Sequence, residues 1–308
     1  MNNETVLQLT GITKTYGKTK AVDNINITIK KGDIYGLIGK NGAGKTTLLR
    51  IIASLVFPDK GEIQLFGATS EAVLQEARTR LGSVIEMPAL YPNLTAVQNL
   101  EYYQQVKGIP NKAIIMEKLE LVGLTDTGKK KFKDFSLGMK QRLGIALALL
   151  NNPDFIILDE PINGLDPAGI VEMREFLKKL NQEQNITILI SSHLLTELSL
   201  VATRYGIIDQ GRLVKEFTDN ELKETCKQSL VINVDDTSKA VSILETTLGV
   251  KNFKVISGTE IKIYDHIDDP AEINYQLNLN GVRVLNITEM GDSLEDYFLS
   301  LIGEGMYV

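Results

Sequence analysis

The sequence predicts an α/β protein. A parallel sheet with crossover helices fills residues 1–218, and a small α+β domain fills residues 219–308. Three observations carry this prediction. An apolar run at 34–38 opens directly into a glycine-rich loop. Two further β-rich runs, 155–158 and 187–190, are separated by a stretch of helical spacing at 172–182. Beyond Asp219 the signals follow the order β-α-β-β-α-β. Strands alternating with helices build parallel sheets through crossovers, and the second order is a ferredoxin-like pattern.

In chain order, Val6, Leu7 and Leu9 open a strand. Ile25, Ile27 and Ile29 alternate with polar residues, as a half-buried strand does. The continuous run 34–38 suits a strand buried on both faces. A helix is expected at about 44–55, stopping before Pro58, then strands at 63–66 and 81–85 and a loop with Pro88 and Pro92. Residues 95–150 read as mostly helical. The character changes near Phe217, and Asp219-Asn220-Glu221 reads as a helix start followed by a linker. Strands at 230–234, 253–256, 261–264 and 282–287 enclose helices at 240–248 and 272–279, and an amphipathic helix at 294–301 closes the chain.

A hydrophobic content of 43% over 308 residues supports a sizeable core. The net charge of -6 leaves no basic footprint, so nucleic acid is not expected as a partner. Cys226 is the only cysteine, which rules out an internal disulfide and fits a reducing compartment. Met1-Asn2-Asn3-Glu4 lacks the basic start of a signal peptide. No stretch reaches the roughly 18 apolar residues that span a bilayer. A membrane role is therefore expected to need another polypeptide.

Gly39-Lys40-Asn41-Gly42-Ala43-Gly44-Lys45-Thr46 fits G-x-x-x-x-G-K-[ST] without a mismatch, between a predicted strand and a predicted helix. Gly39, Asn41, Gly42, Ala43, Gly44 and the following Thr47 are candidate phosphate-binding positions. Glycines let successive N–H groups turn inward, and the helix start adds its positive end. Lys45 is expected on the β- and γ-phosphates and the Thr46 hydroxyl on Mg²⁺. In 155–160 four apolar residues are followed by Asp159 and Glu160. A buried parallel strand delivers such acids to the carboxyl end of the sheet, where ligands bind. Asp159 is a candidate Mg²⁺ holder, and Glu160 a candidate to orient or deprotonate an attacking water. His193, ending Ser191-Ser192-His193, is placed to sense the γ-phosphate. His266 has no supporting motif.

Phe135-Ser136-Leu137-Gly138-Met139-Lys140-Gln141-Arg142 resembles the signature motif of ABC ATPases. Ser136 and Gly138 match it, while Leu137 and Met139 stand where the family has glycine and glutamine. Gly164-Leu165-Asp166-Pro167 is similar to the family's D-loop, and Tyr16 sits where the family stacks an aromatic on adenine. The resemblance covers residues 6 to about 217. It implies a cassette with a mixed sheet core, an antiparallel β-subdomain and a helical subdomain. It also implies ATP hydrolysis with Mg²⁺ in a head-to-tail dimer, two ATPs lying between phosphate loop and signature. The dimer would pair two copies or a similar ATPase, and a separate transmembrane permease would hold it at the cytoplasmic face of the membrane.

Where the family has a glutamine after the strand at 81–85, this chain has Glu86. That looks like the E-loop of bacitracin-resistance and lantibiotic-immunity exporter ATPases. Glu86 could ligate Mg²⁺ or meet a cation. The resemblance implies a peptide-antibiotic cargo, and Met87, Leu90, Tyr91 and Leu94 could line the groove for the permease. The alternatives are an importer or other-cargo subunit, and a soluble ABC ATPase. Repair and chromosome proteins of the latter kind insert long coiled coils between phosphate loop and signature, which the spacing of Thr46 and Ser136 excludes. A metabolic P-loop kinase would explain 39–46 but neither 135–142 nor 191–193.

Overall fold

The computed structural model describes residues 4–86, 88–225, 229–265, 269–290, 294, 297–298 and 301. Met87, Cys226, His266 and half of the helix expected at 294–301 lie outside the described residues. The chain divides into two compact units, Met1–Asp219 and Asn220–Val308.

The first unit opens with β1 (Thr5–Tyr16) and β2 (Thr19–Lys30), then β3 (Ile34–Ile38), α1 (Lys45–Ile52), β4 (Lys60–Leu65), α2 (Glu71–Ala77) and β5 (Leu81–Val84). A helical stretch follows: α3 (Ala96–Val106), α4 (Ala113–Leu121) and α5 (Leu137–Ala148). Then come β6 (Phe155–Asp159), α6 (Pro167–Gln184), β7 (Thr187–Ser192), α7 (Leu195–Ser199), β8 (Arg204–Asp209) and β9 (Arg212–Thr218); α8 (Asp219–Thr225) begins at the last residue of this unit and belongs otherwise to the second.

β1 pairs antiparallel with β2 and β4 in a three-stranded sheet, with Leu9 opposite Ile27 and Leu7 opposite Ile29. The alternation in β2 therefore turns Ile25, Ile27 and Ile29 to one buried face. The second sheet runs β5-β6-β7-β3-β8-β9, parallel except for β9. Leu7, Ile27, Leu37, Leu48, Leu49 and Ile157 belong to one apolar cluster, so both sheets and α1 share a core. A second cluster, including Leu100, Ile115, Leu119 and Leu143, holds α3, α4 and α5 together. Fully buried Asn99 fastens the chain before α3. Its Oδ1 accepts from the Tyr91 N–H (2.7 Å), and its Nδ2 donates to the Tyr91, Leu94 and Thr95 carbonyls.

Two departures from the sequence reading have local causes. α6 begins at Pro167, before the expected 172, because Asp166 Oδ1 caps the Gly169 N–H at 2.9 Å and proline fits the first helical turn. β8 and β9 were not foreseen. They form a hairpin through Gln210 and Gly211, both at positive φ (46° and 78°). Glutamine at the first turn position hides the usual hairpin signal.

The second unit contains β10 (Ser229–Val234), α9 (Thr237–Thr246), β11 (Phe253–Val255), β12 (Glu260–Ile263), α10 (Pro270–Leu279) and β13 (Val284–Met290). Its sheet order is β11-β12-β10-β13, all antiparallel, as the ferredoxin-like pattern requires. Leu230, Ile232, Ile261, Ile263, Leu244 and Leu277 form its core. Among the described residues no helix is long and apolar enough to cross a membrane.

Candidate functional site

The carboxyl ends of β3, β6 and β7 converge on one place. β3 delivers the loop 39–44, which ends at α1. Gly42 and Gly44 have φ of 85° and 108°, a region that disfavours side chains. A Cβ on Gly44 would stand 2.3 Å from the Ala21 carbonyl, and one on Gly39 would stand 2.4 Å from that of Ile208. The loop is thus wedged between β2 and β8. Gly39 N–H donates to the Ser192 carbonyl (3.2 Å) and Ala43 N–H to that of Lys40 (3.1 Å). These two bonds shape the loop. The Gly211 N–H, from the unforeseen hairpin, braces the Ala43 carbonyl at 2.9 Å.

A cavity of about 210 Å³ is lined by Ala21, Lys40, Asn41, Gly42, Gly44, Lys45, Thr46, Thr47 and Glu160. No acidic residue or side-chain cap occupies the start of α1. Its first-turn N–H groups lack intrahelical partners, and the helix end is positive. Lys45 is 5% exposed, and its ammonium donates to the Gly39 carbonyl at 2.7 Å. This is a phosphate-shaped cradle with its cation already in place.

Asp159 and Glu160 end β6. The Asp159 Oδ2 accepts from the Thr46 hydroxyl (2.9 Å), and its Oδ1 accepts from the Ser191 hydroxyl (2.6 Å). Glu160 has φ 50°. Its two oxygens are divided between Lys45 Nζ (3.2 Å) and His193 Nδ1 (2.8 Å). Lys45, Thr46, Asp159, Glu160 and His193 are therefore one connected cluster. Its hydroxyl and carboxylate oxygens are the hard donors that Mg²⁺ takes. Among the described residues no group of three or more metal-binding side chains exists.

Ser136 caps α5, its hydroxyl accepting from the Met139 N–H at 3.3 Å. Ser136, Gly138, Gly164 and Asp166 line a different cavity, of about 430 Å³. It shares no lining residue with the phosphate cradle. Gln141 Nε2 donates to the Asn163 carbonyl (3.2 Å), tying α5 to the turn before α6. A third cavity, of about 500 Å³, is lined by Thr46, Glu86, Leu137, Asp159 and Glu160 among others.

Tyr16 sits at the turn of the β1–β2 hairpin, opposite Thr19, and is 49% exposed. It does not line the phosphate cavity. Asp59 fixes the chain beside it, accepting from Lys14 Nζ (2.8 Å) and the Thr15 N–H (2.7 Å). The Lys14 bond, then the Thr15 bond, hold the Asp59 carboxyl below its usual range. Glu86 meets a cation, but one of its own chain: Arg50 on α1, at 2.6 Å. Glu86 also has φ 61°. Of the expected groove residues, Leu90 is buried core, while Tyr91 is exposed and meets Tyr102 edge-on with ring centroids 4.8 Å apart.

The family model described as ABC transporter matches residues 22–163. The bacitracin transport ATP-binding protein of Bacillus licheniformis is 45% identical over 98% of this chain and 98% of its own length. A lantibiotic transport ATP-binding protein of Streptococcus pyogenes is 43% identical over 70% of this chain and 93% of its own. Among solved structures, a dimeric post-hydrolysis ATP-binding cassette bound to ADP and Pi has a TM-score of 0.62 at 29% identity, covering 69% of this chain and 98% of that one. With its phosphate cradle, paired acids and near full-length likeness to such subunits, this chain belongs to the ABC transporter ATP-binding family and is an ATPase.

Proposed function

We propose that this chain powers the export of a peptide antibiotic of the bacitracin or lantibiotic kind through a separate transmembrane permease. It would work as a homodimer, or with a similar ATPase, at the cytoplasmic face of the cell membrane. One observation supports the dimer. The similar solved cassette bound to ADP and Pi is itself dimeric. The names of the relatives support the cargo.

In this reading Lys45 and the first-turn N–H groups of α1 hold the β- and γ-phosphates, and Tyr16 stacks on adenine. Thr46 and Asp159 hold Mg²⁺, with Glu86 beside them at the rim. The ion would neutralise charge on the phosphate oxygens. Glu160 must leave Lys45 when the γ-phosphate arrives, and is then free to accept a proton from the attacking water. His193 loses Glu160 in the same event and can turn to the γ-phosphate. The partner chain's Ser136 and Gly138 would close the site from the other side.

The test is purification of the Glu160→Gln protein with Mg-ATP from its native membrane. Recovery of a multi-span membrane protein supports the reading and identifies the cargo class. Recovery of soluble or nucleic-acid partners alone overturns the permease while leaving the ATPase site standing.

A further inference from the structure

Ser191 begins the 191–193 motif without a role of its own there, yet it touches both acids. The parallel register sets Ser191 of β7 directly beside Asp159 of β6. Its side chain is fully buried. The hydroxyl donates to Asp159 Oδ1 at 2.6 Å and accepts from the Glu160 N–H at 2.9 Å. The Ser191 carbonyl accepts from the same N–H at 3.2 Å. Thr46 takes the other oxygen of Asp159.

We propose that Ser191 is the positioning residue that aims Asp159 at the Mg²⁺ and Glu160 at the water. This rests on the ATPase reading of the site. A hydroxyl donates a strong hydrogen bond to a carboxylate and accepts one from an N–H at the same atom. The donated bond fixes the rotation of the Asp159 carboxylate, leaving Oδ2 toward Thr46. The accepted bond holds the Glu160 backbone at positive φ, an unfavourable region for a residue with a Cβ. That twist lets two adjacent acids serve different tasks. Without the hydroxyl, Asp159 can turn and the Glu160 N–H keeps only its longer bond to the Ser191 carbonyl, although neither acid is changed.

The experiment compares Ser191→Ala and Ser191→Thr with the unaltered chain. A fluorescent ATP analogue is titrated with and without Mg²⁺, and turnover is measured separately. For Ser191→Ala, metal-free affinity stays within about twofold, the tightening caused by Mg²⁺ shrinks by roughly tenfold, and turnover falls by a similar factor. Ser191→Thr, which keeps the hydroxyl, restores most of both. An alanine variant with full Mg²⁺ tightening and full turnover overturns the proposal. So does a threonine variant as impaired as alanine, because packing would then be the cause. If alanine does not fold, Ser191→Cys, of similar shape but with a poor donor, takes its place in the comparison. An unaltered chain that binds no Mg-ATP would instead sink the site reading itself.

Discussion

Glu160→Gln is expected to tighten ATP binding while nearly abolishing hydrolysis. Without nucleotide, Glu160 holds Lys45 at 3.2 Å and His193 at 2.8 Å, so its carboxylate stands on the cation that the triphosphate needs. At an effective dielectric constant of about 20, the Lys45 pair has a gross attraction of about 5 kcal/mol. Glu160 is 21% exposed on its side chain, and solvation of the released carboxylate returns much of that. A net charge-assisted hydrogen bond is worth about 1.5–3 kcal/mol. Glutamine keeps a neutral contact with Lys45, so about 1–2 kcal/mol of ATP affinity is recovered, roughly 5- to 30-fold in Kd. Loss of the general base lowers turnover by about 10²- to 10⁴-fold. A fluorescent-nucleotide titration at dilute protein, where dimerisation is suppressed, reads the first effect, and phosphate release reads the second. Unchanged or weaker binding by a folded variant would refute the idea that Glu160 competes with the phosphate.

Lys45→Ala removes the buried cation, and nucleotide affinity should fall by about 10- to 100-fold in the same titration; normal ATPase activity would count against the site. Asn99→Ala strands the Tyr91 N–H and should cost about 1–3 kcal/mol in denaturant unfolding, with the phosphate cradle intact. Glu86→Gln breaks an exposed ion pair with Arg50, worth at most about 1 kcal/mol. Basal ATPase activity should stay within about twofold, while protection of cells from a peptide antibiotic should change. Unchanged protection would make Glu86 a neutral replacement for glutamine.

The phosphate loop, the two acids and the histidine were legible in the sequence because chemistry dictates their types and their place at strand ends. The strand and helix order of 229–290 was equally legible, since alternation and breakers act locally. Much of what escaped depends on pairing between distant segments. Ser191 gains its contacts from the register of β6 against β7, which no local pattern shows. Arg50 reaches Glu86 across 36 positions. The β8–β9 hairpin hid behind Gln210, and its Gly211 braces the phosphate loop. Gly39 and Ala43 fit the motif, but no local pattern shows that the Gly39 N–H ties the loop to the Ser192 carbonyl at the end of β7.

The most direct test of the two-chain site is the mass of the Glu160→Gln protein in solution, with and without saturating Mg-ATP. Each chain is 34.1 kDa. A shift to twice that mass on adding Mg-ATP, lost when Ser136 is replaced by a bulky residue such as phenylalanine, is the predicted result. A chain that binds ATP tightly and remains at 34.1 kDa would contradict a nucleotide shared between two subunits.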